Sequence, residues 1–256
     1  MRDTPPPYRT VVFDCDSTLS EIEGVDELGA AHRAEIEALT NAAMSGSLKL
    51  EDVYARRLAL IAPSRADVER VGALYVERAV PHARELVRAL HALGKRVLIV
   101  SGGVTPAVHA IARALDIPER DAHAVALRFD ARGAYAGFDE ASPLARSGGK
   151  IDVLRALASN PGARPLALVG DGITDLEAGE ADGGSDRFIA YGGVVKRAAV
   201  FARARVTCET KTLAGLVPLL FSPDEVDALA RDPEHAALIS ASQNDASRND
   251  ASRPLR

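Results

Sequence analysis

The sequence predicts an α/β protein, a Rossmann-like doubly wound parallel sheet with a small helical cap inserted after the first strand. Three observations support this fold class. From about residue 81 onward, short apolar runs of strand length alternate with helical segments, as in a parallel sheet covered on both faces. One further run, 9–14, stands alone near the start. Between these two parts the apolar spacing is helical only, which we interpret as the inserted cap.

The elements follow in chain order. The run Arg9–Asp14 (RTVVFD) is rich in β-branched residues and predicts a buried strand, and residues 19–78 predict helices, one of them opened by a capping signature at Ser64 and Asp67. The later predictions are helix 82–93, strand 96–100, helix 105–115, hairpin strands 122–129 and 134–138, helix 150–159, strand 166–170, a helix from about 174, strand 187–191, helix 195–202 and strand 205–208.

These elements divide the chain into a core, a cap and a tail. We assign 9–18 and 81–221 to the core, 19–80 to the cap and 222–256 to a C-terminal extension. One more surface helix is expected in the extension before about residue 239. The segment Asn-Asp-Ala-Ser-Arg occurs twice in succession after residue 243 and has nothing to bury, so we predict disorder from about residue 241.

Composition excludes several classes of protein. Lys plus Arg is 31 and Asp plus Glu is 36, a net charge of −5 with 4% aromatic residues, which argues against nucleic-acid binding. Cys15 and Cys208 are too few for a disulfide framework. The longest apolar runs have strand length rather than membrane-spanning length. We therefore expect a cytoplasmic protein with a small-molecule partner, no nucleic acid and no membrane; nothing in the sequence indicates its oligomeric state.

Four polar clusters follow predicted strands or open predicted helices at the edge where doubly wound sheets bind ligands. They are Asp14-Cys-Asp16-Ser-Thr18, Ser101-Gly-Gly103, Gly148-Gly-Lys150 and Gly170-Asp-Gly-Ile-Thr-Asp175. One Asp-x-Asp at a strand end is ordinary solvated sequence, but the four clusters together favour a functional site. A phosphate-binding Walker loop is excluded because Ile151 follows Gly149-Lys150.

This ordered set of clusters resembles the motifs of the haloacid dehalogenase superfamily of phosphatases. Between the first two clusters, Glu23-Gly-Val-Asp-Glu-Leu, Met44 and Arg57-Leu-Ala-Leu-Ile are similar to the phosphoserine phosphatase family. The resemblance covers about 10–220. It implies a haloacid dehalogenase-like core that hydrolyses O-phospho-L-serine to L-serine and phosphate through an aspartyl phosphate, the last step of serine biosynthesis.

The resemblance also implies a role for each acidic residue and a Mg²⁺ cofactor. Asp14 would be the nucleophile, and Asp16 would protonate the leaving oxygen and then activate water. Mg²⁺ would bind Asp14, the backbone carbonyl of Asp16, and Asp171. Asp175 would hold the metal's water shell or orient Asp171. An oxygen-only ligand set of this kind suits a hard cation.

The remaining core motifs would bind the phosphoryl group. By resemblance, Ser101 and the Gly102 N–H would contact its oxygens, while Gly103 would let the backbone approach closely. Lys150 would balance the negative charge between Asp14 and the phosphate. Thr174 would add a polar contact near the substrate.

Cap residues would select the leaving group. Phosphoserine carries an ammonium and a carboxylate, which Glu23 and Arg57 would bind through complementary charge. Met44 and Leu50 would form an apolar rim, although the family often has an aromatic residue at position 50. The alternative interpretation of Glu23 and Arg57 is an ordinary exposed pair on helices.

Two other functions remain open at this point. The same aspartyl phosphate could transfer its phosphoryl group to a small alcohol such as homoserine. Alternatively, a catalytically silent binding protein could keep the fold, although intact motifs argue against this. Cys15, between the two aspartates, is interpreted as a buried strand thiol rather than a redox switch.

Overall fold

The computed structural model describes residues 7–44 and 50–251, and for 40–44, 50–51 and 246–251 it describes the backbone only. Its strands are β1 (Thr10–Phe13), β2 (Arg96–Thr105), β3 (Ala122–Phe129), β4 (Tyr135–Phe138), β5 (Leu166–Gly170), β6 (Arg187–Tyr191) and β7 (Thr207–Cys208). They form one sheet in the order β4-β3-β2-β1-β5-β6-β7. Every neighbouring pair is parallel except the β3–β4 hairpin. The predicted fold class is confirmed.

Helices cover both faces of this sheet and build the segment inserted after β1. They are α1 (Gly24–Leu28), α2 (Arg33–Met44), α3 (Leu50–Ile61), α4 (Arg65–Glu77), α5 (Ala83–Ala92), α6 (Ala107–Ala114), α7 (Gly149–Ala158), α8 (Ile173–Glu180), α9 (Ala198–Phe201), α10 (Val217–Leu220), α11 (Pro223–Ala230) and α12 (Ala236–Ala251). Short 3₁₀ turns occupy Ala30–His32, Glu119–Asp121, Pro143–Ala145 and Leu213–Leu216. None of the helices in the described part of the chain has the length and hydropathy that a bilayer crossing requires.

The topological switch point of the sheet, where the order of the strands reverses, lies between β1 and β5. Phe13 at the end of β1 is aligned with Ile99 of β2 on one side and with Val169 of β5 on the other. All residues of β1 and β5 are buried, as expected for central parallel strands. The chain therefore leaves β1, β2 and β5 side by side, and the residues that follow these strands meet at one edge.

Strand β2 is longer than the sequence predicts. The predicted strand ends at residue 100, whereas β2 continues through the glycine pair to Thr105. Its register against β3 shifts between Val100 and Val104, so the polar cluster sits on an irregular stretch of strand. A register irregularity of this kind redirects side chains without ending the strand.

Helix α4 belongs to the inserted segment but packs on the core. The predicted capping box is present, with the Ser64 hydroxyl accepting from the Asp67 N–H at 3.2 Å and the Asp67 carboxylate accepting from the Ser64 N–H at 3.1 Å. Val68, Val71 and Tyr75 are buried on the side facing α6. Helices α2 and α3 pack mainly on each other.

The two ends of the inserted segment meet. Val80 donates its N–H to the Leu19 carbonyl at 2.9 Å, and Glu21 donates to the Arg78 carbonyl at 2.8 Å. These antiparallel contacts join the entry and the exit of the insertion next to β1.

The C-terminal extension docks on the core. Leu238 and Ile239 on α12 are buried, and the Thr212 hydroxyl donates to Asp245 at 2.8 Å. The predicted disorder from about residue 241 is wrong for 241–251, which continue α12. The physical reason is that apolar residues anchor the first turns of this helix, so the polar repeat only has to propagate an existing helix. Residues 252–256 lie outside the described part.

A buried lysine connects distant parts of the chain. Lys95, in the turn before β2, donates to the Tyr8 carbonyl at 2.9 Å and to the Glu225 carboxylate of α11 at 2.5 Å. A buried ammonium is tolerated when it is paired and hydrogen-bonded in this way.

Candidate active site

Asp14 lies one residue beyond β1, at the edge where β1, β2 and β5 end. Its backbone N–H donates to the Val169 carbonyl at 2.9 Å, which continues the ladder with β5. One carboxylate oxygen, Oδ1, accepts from the Cys15 N–H at 2.8 Å. The side chain is buried and lines a cavity of about 380 Å³.

Lys150 lies between two of the acidic residues. Its ammonium is 2.9 Å from Asp14 Oδ2 and 2.7 Å from Asp175 Oδ1. A Cβ at Gly149 would collide with the Pro143 carbonyl, so glycine lets the first turn of α7 approach and brings Lys150 into the site. Burial alone would lower the pKa of Lys150, but Asp14 and Asp175 together raise it well above its usual value.

Three carboxylates form the anionic centre of the cavity. Asp14, Asp171 and Asp175 each offer an oxygen, and these oxygens lie within 4.8 Å of one another. Burial and the neighbouring Asp14 raise the pKa of Asp171 to about 6, and the same two causes raise the pKa of Asp175. Close buried carboxylates with oxygen donors only are a donor set that fits a hard divalent cation.

Asp16 is held by two donors on the same oxygen. The Gly24 N–H donates to Asp16 Oδ1 at 2.8 Å, and the Tyr75 hydroxyl donates to it as well. Burial and Asp14 raise the pKa of Asp16 to about 7. Burial and Asp16 raise the pKa of Tyr75, so Tyr75 remains a hydroxyl donor.

The Ser101-Gly-Gly103 cluster is held by a hydrogen bond between the Ser101 side chain and the backbone of the same cluster. The buried Ser101 hydroxyl accepts from the Gly103 N–H at 2.9 Å. Gly102 lines the cavity, and its carbonyl accepts from the Tyr54 hydroxyl of α3 at 3.0 Å. Tyr54 therefore connects the inserted helices to the core beside the cavity.

The structure brings most of the sequence-predicted residues to this cavity. Its lining includes Asp14, Asp16, Glu23, Gly102, Lys150, Asp171 and Thr174. Ser101 and Gly103 adjoin Gly102 in β2, and Asp175 lies beside Lys150.

The predicted substrate-selecting residues of the cap have partners within the protein. Glu23 accepts from the Ser17 hydroxyl at 2.8 Å. Arg57 forms an ion pair with Asp26 and is not among the residues lining the cavity, so the structure does not bring it to the cavity wall. The side chains of Met44 and Leu50 lie outside the described residues.

Arg197 is a functional candidate that sequence reasoning missed. It directly precedes α9, donates to Asp171 Oδ2 at 2.7 Å and to Glu23 Oε1 at 2.9 Å, and lines the cavity. A signal was present in the glycine pair 192–193 just after β6, because the other clusters also follow strand ends. Arg197 lies beyond the last of the predicted clusters, which ends at Asp175.

Comparison with known proteins agrees with this geometry. The model of the haloacid dehalogenase-like hydrolase family matches residues 8–183. The phosphoserine phosphatase of Mus musculus is 40% identical over 197 residues, which is 76% of this chain and 86% of the mouse protein.

Two solved structures share the fold. A phosphoserine phosphohydrolase-like protein from Francisella tularensis is 25% identical with a TM-score of 0.69, covering 82% of this chain and 99% of its own. A phosphoserine phosphatase with an analogue of its phospho-aspartyl intermediate is 25% identical with a TM-score of 0.67, covering 84% and 100%. By these matches the chain belongs to the haloacid dehalogenase-like hydrolases and, within them, to the phosphoserine phosphatase family.

Proposed function

We propose that this protein hydrolyses O-phospho-L-serine to L-serine and phosphate in a Mg²⁺-dependent reaction, through an aspartyl phosphate on Asp14. The observation that carries the proposal is the setting of Asp14, a buried carboxylate beside Lys150 that lines a cavity together with Asp16 and Asp171. A carboxylate nucleophile divides a difficult hydrolysis into two easier displacements.

The acidic residues fit a magnesium ion. Asp14, Asp171 and the backbone carbonyl of Asp16 would hold the ion. Asp175, which is paired with Lys150, would hold the metal's water shell or orient Asp171. When bound, the cation supplies positive charge that lets a carboxylate approach a phosphate dianion. Burial, and after it the negative charge of Asp14, raises the pKa of Asp171 to about 6, and a bound cation would neutralise that charge.

Asp14 and Asp16 divide the covalent and proton-transfer work. In the first half, an Asp14 oxygen bonds to phosphorus, the bond between phosphorus and the serine oxygen breaks, and Asp16 gives its proton to that oxygen. In the second half, Asp16 takes a proton from water as the water oxygen bonds to phosphorus. The bond from Asp14 to phosphorus then breaks, which releases phosphate and the free carboxylate.

The phosphoryl group would be held by core residues around Asp14. The Ser101 hydroxyl and the Gly102 N–H would donate to its oxygens, with Gly103 leaving space for the backbone to approach. Lys150 would offset the charge of Asp14 and the phosphate, and Thr174, on the cavity wall, would add a hydroxyl contact.

The amino-acid end of the substrate would be bound by Glu23 and Arg57. Glu23 lines the cavity and would bind the ammonium, while Arg57 would bind the carboxylate after exchanging its partner Asp26. Met44 and Leu50 would complete an apolar rim that excludes water. We also propose a cytoplasmic location, because both cysteines are free and buried, as is usual in a reducing compartment.

The test is phosphate release from O-phospho-L-serine by the full chain with Mg²⁺. The wild type should release phosphate, chelation should stop the reaction, and added Mg²⁺ should restore it. Asp14→Asn should abolish turnover while the protein stays folded, whereas Asp130→Asn, on the exposed β3–β4 turn, should keep wild-type activity. Near-normal turnover by Asp14→Asn would contradict the proposal.

A further inference from the structure

Tyr75 reaches the site from the core side of the inserted segment. It lies on α4, the helix that packs against α6, and its side chain is completely buried. Its hydroxyl donates to Asp16 Oδ1. The four polar clusters described above do not include this position, and a tyrosine at core spacing on a helix is ordinarily a packing residue.

Two glycines make room for the hydroxyl. A Cβ at Gly24 would collide with the Tyr75 oxygen, and a Cβ at Gly103 would lie 3.2 Å from it. Gly24 begins α1 and Gly103 belongs to β2, so two separate parts of the chain leave space at this one oxygen. The arrangement indicates a polar contact built into the fold rather than a tyrosine that only fills volume.

Both donors fall on the same carboxylate oxygen. The Gly24 N–H reaches Asp16 Oδ1 at 2.8 Å, beside the Tyr75 contact. Two donors on Oδ1 oppose rotation of the carboxyl group about its Cβ–Cγ bond. Because Asp16 also lines the cavity, Oδ2 is the oxygen left to face a ligand.

We propose that Tyr75 is a positioning residue for the proton transfer to the leaving group, because its hydroxyl fixes Asp16 so that Oδ2 carries the exchanged proton. This inference rests on the proposed acid–base role of Asp16. A general acid is effective only when its proton is aligned with the leaving oxygen, and a carboxyl group free to rotate loses that alignment.

The consequence is a dependence on the leaving group. The serine oxygen needs a proton as its bond to phosphorus breaks, whereas p-nitrophenolate departs without one. The ratio kcat/KM includes the steps up to formation of the aspartyl phosphate and excludes the later attack of water. Comparing kcat/KM for the two esters therefore isolates the proton transfer that Tyr75 would support.

The experiment measures kcat/KM of the Mg²⁺-loaded full chain for O-phospho-L-serine and for p-nitrophenyl phosphate. Tyr75→Phe should lower the phosphoserine value about 10- to 100-fold, part of the roughly 10²- to 10⁴-fold contribution of a general acid. The p-nitrophenyl phosphate value should stay within about threefold. A partly unfolded variant would lower both values equally, so their ratio remains informative.

Two further variants complete the test. Tyr8→Phe removes another buried hydroxyl, one that has no hydrogen-bond partner among the described residues. Tyr8 lies before β1, at the end of that strand away from Asp14, so this variant should change neither kcat/KM value. Asp16→Asn should show the same contrast between esters as Tyr75→Phe, but larger. If Asp16→Asn shows the contrast and Tyr75→Phe does not, the inference is overturned while the proposed function stands. If Asp16→Asn shows no contrast, the acid–base role of Asp16 is overturned and this inference with it, whereas hydrolysis through Asp14 is tested separately by Asp14→Asn.

Discussion

Two cations that line the cavity, Lys150 and Arg197, have acidic partners within the protein. Lys150 pairs with Asp14 and Asp175, and Arg197 joins Asp171 to Glu23. An anionic ligand that bound to either cation would exchange partners with these carboxylates. Exchange costs less than creating an unpaired buried charge, because each buried group keeps a partner throughout.

At the residue scale, the first prediction concerns substrate selection. Arg57→Ala should lower kcat/KM for phosphoserine about 10- to 150-fold, since a charge-assisted contact contributes about 1.5–3 kcal/mol. It should barely change kcat/KM for p-nitrophenyl phosphate, which has no carboxylate. Glu23→Ala should show the same contrast through the ammonium. Steady-state kinetics with both esters provide the measurement.

The matched control is Arg56→Ala, which removes the adjacent exposed arginine from the same helix. This variant should leave kcat/KM unchanged for both esters. If Arg57→Ala lowers kcat/KM for both esters by the same factor, Arg57 has a structural role through its ion pair with Asp26 and does not bind the substrate's carboxylate.

Sequence reasoning at this scale finds residues whose chemistry is written into a motif. Asp14 and Lys150 could be found because they occur within short clusters at strand ends. Arg197 and Tyr75 lie outside those clusters. The glycine pair after β6 is the local signal for Arg197, whereas Tyr75 enters the site through the packing of α4 and its local sequence carries no such signal. Their contacts depend on where α4 and the loop after β6 meet the core, which is long-range information.

At the scale of elements, α3 contributes the Tyr54 contact that joins the insertion to the core. Helix α4 packs on α6, whereas α2 and α3 pack mainly on each other. The sequence predicts the whole range 19–80 as one cap, because helical periodicity does not reveal which helix packs on the sheet layer.

Tyr54→Phe should therefore weaken the attachment of α3 to the core beside the cavity. It removes the hydrogen bond to the Gly102 carbonyl and keeps the ring against Phe138. Losing one such bond costs about 0.5–1.5 kcal/mol, so KM for phosphoserine should rise roughly 2- to 10-fold with little change in melting temperature. An unchanged KM would show that this contact contributes nothing to substrate binding.

A second prediction for an element concerns α12. Leu238→Ala empties a fully buried position and should lower the free energy of unfolding by about 2–5 kcal/mol in urea titrations. The exposed neighbour provides the control, because Ser240→Ala should change stability by less than about 0.5 kcal/mol. Equal stability of the two variants would mean that α12 does not dock in solution.

The repeat in the tail explains why sequence reasoning failed there. A polar repeat with no apolar face predicts disorder when it is considered alone. The helix that contains it begins earlier, and the burial of Leu238 and Ile239 depends on a surface formed by Leu213–Leu216. The strand pattern of the core needed no such information, since apolar runs of strand length carry it locally.

At the scale of the whole molecule, the acidic centre links stability to pH and metal. In the metal-free protein the pKa values of Asp16 and Asp171 are about 7 and about 6, and both would titrate near 4 when unfolded. The folded state therefore holds protons that the unfolded chain has released. For these groups, the free energy of unfolding falls as pH rises from about 4 to 7.

Melting temperatures measured with a chelator test this linkage. Asp171→Asn cannot ionise, so it should raise the melting temperature relative to wild type more at pH 8 than at pH 5.5. Added Mg²⁺ should stabilise the wild type more at pH 8, because the ligands must be ionised to bind it. If Asp171→Asn or added Mg²⁺ raised the melting temperature more at pH 5.5 than at pH 8, burial and mutual repulsion would not be raising the pKa values of these carboxyl groups.

The buried ammonium of Lys95 has a consequence for folding during synthesis on the ribosome. Its partner Glu225 is made 130 residues later. At about 5–20 residues per second, synthesis of the intervening chain takes roughly 7–26 s. The strands β2 to β7 are all synthesised in that interval, while Lys95 still lacks its counter-charge. The ion pair of Lys95 can therefore form only after α11 has been synthesised, which ties this corner of the core to the carboxyl-terminal helices.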